Sequence, residues 1–398
     1  MNSPHAVKKS PPENPMKLLY LTGFLGIALA TTSCAQTTLK EAFKNDFLIG
    51  AALSPAQFCE SNQVEAALVK AQFNSISPEN ILKWEVIHLE PGKYDFALAD
   101  RYVEFGVTNQ LAIIGHNLIW HSQTPDWVFR DAKSNYVDRD TLLARMREHI
   151  FAVAGRYQGK IIGWDVVNEA LADNGTLRDS PWRKIIGDDY IAKAFEFAHE
   201  ADPQAELYYN DFSLENEPKQ AGAVALIKNL QAAGVKICGV GLQGHYSLEK
   251  PTLQKIDKAI ATFAKLGLKV MVTELDVNVL PSPGHALSAE VSERYRMSAG
   301  LNPYTNGLPA DVQQQLAQRY ADLFSVFLKH RGSISRVTFW GVTDGNSWLN
   351  DWPVQGRTNY PLLFNRESKP KPAFDAVLKT ALGKTAIKLS AGESALAR

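Results

Sequence analysis

The stretch from Ile161 to Ala170, IIGWDVVNEA, constrains the fold more than any other part of the chain. Ile161, Ile162, Trp164, Val166 and Val167 make a run apolar enough to be buried on both faces, as the strands of a parallel sheet are, and the run stops at the polar pair Asn168 and Glu169. Leu268 to Asp276, LKVMVTELD, has the same form, a β-branched apolar run closing on Glu274 and Asp276. Two buried strands that each end in a carboxylate can set those acids facing one another across the rim of a closed barrel, because the C-terminal strand ends of such a barrel ring a single face.

The rest of the chain supplies enough strands for that closure. Strand-like runs fall at 47–53, 73–77, 111–117, 161–169, 206–211, 237–246, 268–276 and 337–343. Segments of helical period lie between them at 63–71, 141–157, 191–201, 219–233, 253–266 and 312–330, and a last helix is expected at 373–382. Strand and helix alternate, so the sheet is expected to be parallel with right-handed crossovers, and eight repeats predict an α/β fold of the (β/α)8 TIM-barrel type in a single catalytic domain. The 398 residues are compatible with one such domain carrying insertions. Two proline- and glycine-rich stretches break the rhythm, 280–309 after the seventh strand and 351–360 after Trp348, and both read as long loops on the active face.

The ends of the chain read differently from its middle. Lys8, Lys9 and Lys17 precede the apolar run Leu18 to Ala30, which has the length of an export-signal core and is too short to span a bilayer. Residues 1–35 are therefore read as an export signal, with Met16 an alternative start and two alternative endings: cleavage after Ala35 or lipid attachment at Cys34. The catalytic domain is expected over 36–382 and a flexible tail over 383–398, and the protein is expected to be exported, whether secreted, periplasmic or lipid-anchored at a bacterial outer membrane, and monomeric. Cys59 and Cys238 allow one disulfide but no framework, and Cys238, inside the apolar run 235–242, reads as a buried free thiol. Lys plus Arg and Asp plus Glu both total 42, which argues against nucleic acid or a polyanion as the partner and favours a neutral ligand.

Chemistry-bearing residues follow the strands. Glu79, Asn80, Lys83, Trp84 and Glu85 come after the second, His116, Trp120 and His121 after the third, Gln243 and His245 after the sixth, and Trp340 and Trp348 after the eighth. Hydrogen-bonding groups mixed with indoles suit a sugar, whose hydroxyls need polar partners while its C–H faces pack on aromatic rings. Trp84, Trp120, Trp340 and Trp348 are read as such platforms. A carboxylate pair across a barrel mouth is what glycoside hydrolysis requires, one acid protonated and one ionised. His116, His121 and His245 complete no metal-ligand spacing and no acidic calcium loop is present, so neither metal nor cofactor is expected. Asp165 and Asp211 read as structural acids.

The motifs ENILKWE, PGKYDF, GHNLIWH, WDVVNEA, YYNDF, QGH, VTELD and FWGVTD, in that order, resemble those of the family 10 glycoside hydrolases, the endo-β-1,4-xylanases, from about Phe47 to Leu382. The resemblance implies retaining hydrolysis of xylan with Glu169 as general acid/base and Glu274 as nucleophile. It implies sugar contacts at Glu79, Asn80, Lys83, His116, Trp120, Asn168, Gln243, His245, Trp340 and Trp348. His245 is expected to donate to Glu274, with Asp276 orienting that histidine and His121 a second orienting residue. Asn168 and Glu169 are adjacent on a strand and would point to opposite faces, so both reach one site only if the strand bends or ends there. The rival readings are a related β-glycanase acting on glucan or mannan and a non-catalytic carbohydrate-binding barrel.

Overall fold

The apolar runs pair edge to edge in chain order. In the computed structural model, which describes residues 37–283 and 294–395 together with Ser10, the strands are β1 (Leu48–Leu53), β2 (Ser75–Pro78), β3 (Ala112–Trp120), β4 (Gly163–Asn168), β5 (Glu206–Asp211), β6 (Gly239–Leu242), β7 (His245–Ser247), β8 (Lys269–Asn278) and β9 (Ile334–Phe339). Every pairing is parallel, and the ring closes as β1 to β6 in order, then β8, β9 and back to β1. β7 is β6 resumed after Gln243-Gly244, and both pair with β8. The expected (β/α)8 barrel is therefore the fold.

The helices between the strands are α1 (Leu39–Ala42), α2 (Pro55–Phe58), α3 (Gln63–Gln72), α4 (Trp84–Ile87), α5 (Ala97–Thr108), α6 (Arg139–Arg156), α7 (Pro181–Ile186), α8 (Tyr190–Ala201), α9 (Glu217–Ala232), α10 (Leu253–Ala264), α11 (Ala310–Lys329) and α12 (Pro372–Ala395). Some of their starts carry side-chain caps, as where Asp138 Oδ1 accepts from Thr141 N at 2.7 Å and Asn62 Oδ1 from Glu65 N at 3.2 Å. Their inner stripes follow the helical period: α10 buries Ile256, Ala259, Ile260 and Phe263. Burying a ring such as that of Phe263 contributes roughly 1.5–3 kcal/mol. Inside the barrel, a Cβ on Gly115 would lie 2.1 Å from Trp164 Cε3, so only glycine at this point of β3 admits the fully buried indole of β4.

Several elements differ from the sequence reading. α5 has no counterpart among the expected helices; its Gly106 weakens the helical pattern, yet a Cβ there would meet Ile113 Cγ1 at 2.4 Å, so the glycine serves close packing on β3. The last strand starts at Ile334, earlier than expected, because Arg336 is buried inside the barrel and breaks the apolar run; its guanidinium lies 5.5 Å from the Tyr208 ring. Helical backbone continues past Leu382 to Ala395. Cys59 and Cys238 are both free, and Cys238 is half-buried rather than buried.

Thr37–Arg398 forms one unit. The expected signal over 1–35, with Met16 and Cys34, lies outside the described residues, as do residues 284–293 of the long loop. The described flanks of that loop pack on the loop after Trp348: Tyr295 N donates to Pro353 O at 2.8 Å, Thr358 N to Asn302 Oδ1 at 2.9 Å and Tyr360 OH to Tyr304 O at 2.7 Å. Among the described residues no helix is long and apolar enough to cross a membrane.

Candidate active site

The C-terminal strand ends surround a cleft of about 590 Å³. Glu169 and Glu274 line it together with Glu79, Asn80, Lys83, His116, Trp120, Asn168, Gln243, His245, Trp340 and Trp348, so every sugar-contact residue expected from the sequence reaches one cavity. Asp276 and His121 stand behind the wall.

The adjacency of Asn168 and Glu169 is resolved by the backbone. β4 ends at Asn168, and Glu169 takes a left-handed conformation with φ of +57°, which turns its side chain to the same mouth. A non-glycine residue there costs of order 1–3 kcal/mol and persists only where its surroundings hold it. Glu169 is held from two sides: Trp120 Nε1 donates to Oε2 at 2.9 Å and Gln243 Nε2 to Oε1 at 2.8 Å, while Arg178 Nε donates to its backbone oxygen at 3.2 Å.

Glu274 has a separate set of donors. Asn210 Nδ2 donates to Oε1 at 2.8 Å and His245 Nε2 to Oε2 at 3.2 Å. The same Asn210 amide donates to Asn168 Oδ1 at 3.0 Å, and its own oxygen accepts from Thr273 Oγ1 at 2.7 Å. On the far side of the imidazole, His245 Nδ1 donates to Asp276 Oδ2 at 3.0 Å, and that oxygen also accepts from Trp348 Nε1 at 2.8 Å.

These partners push the two acids in opposite directions. Burial raises Glu169 above the ordinary carboxyl value, and the charges of Asp211 and Glu274 add to it against the hydrogen bonds from Gln243 and Trp120. Burial would raise Glu274 as well, but the hydrogen bond and charge of His245, the electrostatic influence of His116 and the Asn210 hydrogen bond outweigh it, holding its carboxyl below the ordinary value. Burial works against charge on His245 too, yet Asp276 and Glu274 outweigh it and raise the imidazole to about 10. His245 is accordingly an imidazolium that donates from both nitrogens.

The opposite end of the cleft is built around Lys83. Its Nζ donates to Asn80 Oδ1 at 2.8 Å and Gln123 Oε1 at 2.9 Å, and sits 4.9 Å from the Trp120 ring centroid. Burial lowers its pKa, against the surrounding glutamates Glu274, Glu169, Glu79 and Glu85. Burial raises Glu79 to about 7 despite Lys83, so near neutrality this carboxyl can both donate to and accept from a hydroxyl. His116 is fixed through Nδ1 to Asp165 Oδ2 at 2.9 Å and meets Trp340 edge-on, with ring centroids 5.4 Å apart. Asp165 is thus the structural acid expected, and Asp211 is another, paired with the buried Lys219 at 2.8 Å.

One expectation is corrected. Trp84 is no sugar platform: it is 2% exposed and stacks on His149 with centroids 3.7 Å apart, inside a layer that also contains His88 and Trp182. His121 contacts Trp120 edge-on from a small recess shared with Arg178 and Trp182, and burial, with Arg178 and Lys219 nearby, pushes it down to about 3, so it is a neutral group supporting the wall. The sequence reading missed Asn210, Gln123, Phe212, Ser213, Arg294, Asp351 and Trp352, all but the first of which line the cleft. Asn210 stood in view within the motif YYNDF, whereas Gln123 and Trp352 sit in loops with no pattern of their own. Among the described residues no cluster of three or more His, Cys, Asp or Glu is placed to hold a metal ion.

Two carboxyls whose pKa values are pushed apart, buried at different strand ends at the mouth of a parallel barrel floored by amides and walled by indoles, are suited to cleaving an acetal by acid assistance, and that is the chemistry of a glycoside hydrolase. The sequence profile of Glycosyl hydrolase family 10 matches residues 38–380, and the chain belongs to that family. It is similar to endo-1,4-beta-xylanase A of Xylanibacter ruminicola, 44% identical over 360 residues that cover 90% of this chain and 98% of the relative. Among solved structures it resembles a GH10 endoxylanase retrieved from a sugarcane soil metagenome, with TM-score 0.83 and 45% identity over 86% of this chain and 99% of that one. It also resembles the intracellular xylanase TsXylA of Thermoanaerobacterium saccharolyticum, solved as a variant in complex with xylotriose, with TM-score 0.75 and 36% identity over 86% and 99% of the two chains.

Proposed function

We propose that the protein is an endo-1,4-β-xylanase that hydrolyses internal β-1,4-xylosidic bonds of xylan by double displacement with net retention. The observation that carries this reading is the pair of buried acids at two different strand ends of one cleft, each with its own donors, which shift their pKa values in opposite directions. In the first step a Glu274 oxygen attacks the anomeric carbon while Glu169 gives its proton to the departing glycosidic oxygen. In the second, Glu169, now ionised, takes a proton from water as that water attacks the same carbon and the Glu274 carboxylate leaves. Asn168, whose carbonyl oxygen is engaged by Asn210, offers its amide N–H groups to the sugar 2-hydroxyl. Trp340 and Trp348 wall the sugar on one side and Lys83, Asn80 and Glu79 bind hydroxyls on the other. The names of the relatives and neighbours support xylan over other β-glycans.

NMR of the first product released from xylohexaose tests the mechanism: a β-configured reducing end supports double displacement, and an α-configured one would overturn it. Turnover of cellulose or mannan in place of xylan would overturn the substrate. The apolar stretch Leu18 to Ala30 supports a further proposal, that the enzyme meets its polymer outside the cytoplasm, and N-terminal sequencing of the mature protein, with detection of a lipid on Cys34, tests it.

A further inference from the structure

Arg336 lies inside the barrel, 3% exposed, and a guanidinium keeps its charge when it is buried. Among the described residues no carboxylate stands within ion-pair distance of it, and its Nε has no hydrogen-bond partner. Glu206, at the start of β5, is engaged by Lys269 and by the Tyr208 hydroxyl at 2.7 Å. A buried charge left without a partner is strongly destabilising, so a polar group must meet this one.

An opposite charge faces it across the ring. Asp165 stands on β4 and Arg336 on β9, which is reached from β4 in four steps either through β5, β6 and β8 or through β3, β2 and β1. Asp165 is 2% exposed; its Oδ2 takes the Nδ1–H of His116 at 2.9 Å, and its Oδ1 has no hydrogen-bond partner. Tyr208, the register partner of Asp165, lies between the two: its ring centroid is 5.5 Å from the Arg336 guanidinium, and while burial raises its hydroxyl, the charges of both Arg336 and Asp165 act on it. Ser75 Oγ and Thr338 Oγ1, on the strands either side of Gly50, are buried in the same interior and are likewise without a partner. A guanidinium, a carboxylate oxygen and two hydroxyls, enclosed together and too far apart for direct contact, match water, which takes about three hydrogen bonds at a buried site. We propose that Arg336 is a positioning residue: ordered water joins its guanidinium to Asp165 Oδ1 across the barrel, and Asp165, held in this way, fixes the ring of His116 at the cleft. The effect on turnover rests on the xylanase reading above; the water link does not.

Atomic-resolution diffraction from wild-type crystals, with a second data set after a bromide soak, tests the link. Ordered water within about 2.7–3.2 Å of Asp165 Oδ1 and leading to the guanidinium is expected. A dry cavity, direct contact between guanidinium and carboxylate, or a bromide peak between them would overturn it. A double-mutant cycle with His116→Ala tests the consequence. Arg336→Met removes the charge at similar length and is expected to lower kcat/KM on xylohexaose about two- to thirtyfold, the range of coupling through such a network, by raising KM. Much of that loss should disappear in the His116→Ala background, and Arg336→Lys, which keeps the charge, should retain most of the wild-type value. A merely structural role would lower kcat at unchanged KM and add to the loss from His116→Ala, and either result would overturn the positioning role. Should Arg336→Met fail to fold, Arg336→Gln takes its place in the cycle under the same criteria. Absence of turnover on xylohexaose by wild type would instead overturn the xylanase reading, with the diffraction test still deciding the water link.

Discussion

Trp348 donates its indole N–H to the same oxygen of Asp276 that anchors His245. An indole that walls the cleft is thus one hydrogen bond from the group that orients the imidazole, and two from the donor to Glu274. Trp348→Phe keeps a ring against His245 and Trp352, at centroid distances of 4.8 and 4.5 Å, and removes only the N–H. A hydrogen bond to a charged group contributes about 1.5–3 kcal/mol to stability, so the thermal midpoint is expected to drop by several degrees, and kcat/KM on xylohexaose at a temperature well below it is expected to fall about 10-fold or more as His245 loses its fixed orientation. In a cycle with Asp276→Asn the two losses should not add; full additivity would break the proposed link.

The acid/base and the nucleophile should answer to different donors in the pH–rate profile. The Gln243 hydrogen bond favours ionised Glu169, so Gln243→Leu, besides lowering the rate, should move the alkaline limb to higher pH as the Glu169 pKa rises further. His245→Ala removes a donor and a positive charge from Glu274, so the acid limb should also move to higher pH. Profiles of kcat/KM that shift the wrong limb would reassign the two carboxyls.

Aryl xylobiosides with good and poor leaving groups separate the roles directly. Glu274→Ala should abolish turnover of both. Glu169→Ala should retain glycosylation when the leaving group departs without a proton, and regain deglycosylation when azide replaces water as the attacking nucleophile. Loss to the same degree on both substrates would remove the assigned division of labour.

The buried histidine layer predicts a stability limit on the acid side. Burial pushes His88 down to about 4, and burial together with the facing His88 pushes His149 well below the ordinary value. Both rings are neutral in the fold and titrate near 6.5 once unfolded, so below that pH the unfolded chain binds protons the folded chain refuses. The stability is complete above about 6.5 and falls as pH drops toward 4, by up to about 1.4 kcal/mol per pH unit for each histidine. Denaturant midpoints at pH 7 and pH 5 measure the slope, and His149→Phe should reduce it.

How much of this was legible in the sequence depended on where each partner sits in the chain. Glu169 and Glu274 announced themselves because a run buried on both faces has no reason to end in an acid unless the acid has work at the rim. The barrel was legible for a related reason: parallel strands carry their burial in contiguous residues. Trp84 misled because it is the immediate neighbour of Lys83, while the ring it stacks on, His149, lies in α6, far along the chain. Asn210 was passed over because an asparagine beside an aspartate looks like strand-end polarity, and only the closure that brings β5 near Glu274 gives it a task. Gln123 sits with φ of +47° in a loop, a conformation no periodicity reports.

The interruption of one strand at Gln243-Gly244 has a bearing on how such a protein can change over time. Gly244 has φ of +83°, and a Cβ there would come within 2.8 Å of Val272 Cγ1, so the kink is fixed by the backbone and its packing. On its two sides stand Gln243, which donates to Glu169, and His245, which donates to Glu274. Any drift of this segment moves both settings together, which makes it a poor place for variation to accumulate. The described flanks of the loop over 280–309 bear on the loop over 351–360 instead, and Arg294, Asp351 and Trp352 reach the cleft from them. Substitutions in those loops would therefore reshape the cleft wall while leaving the hydrogen bonds to Glu169 and Glu274 in place.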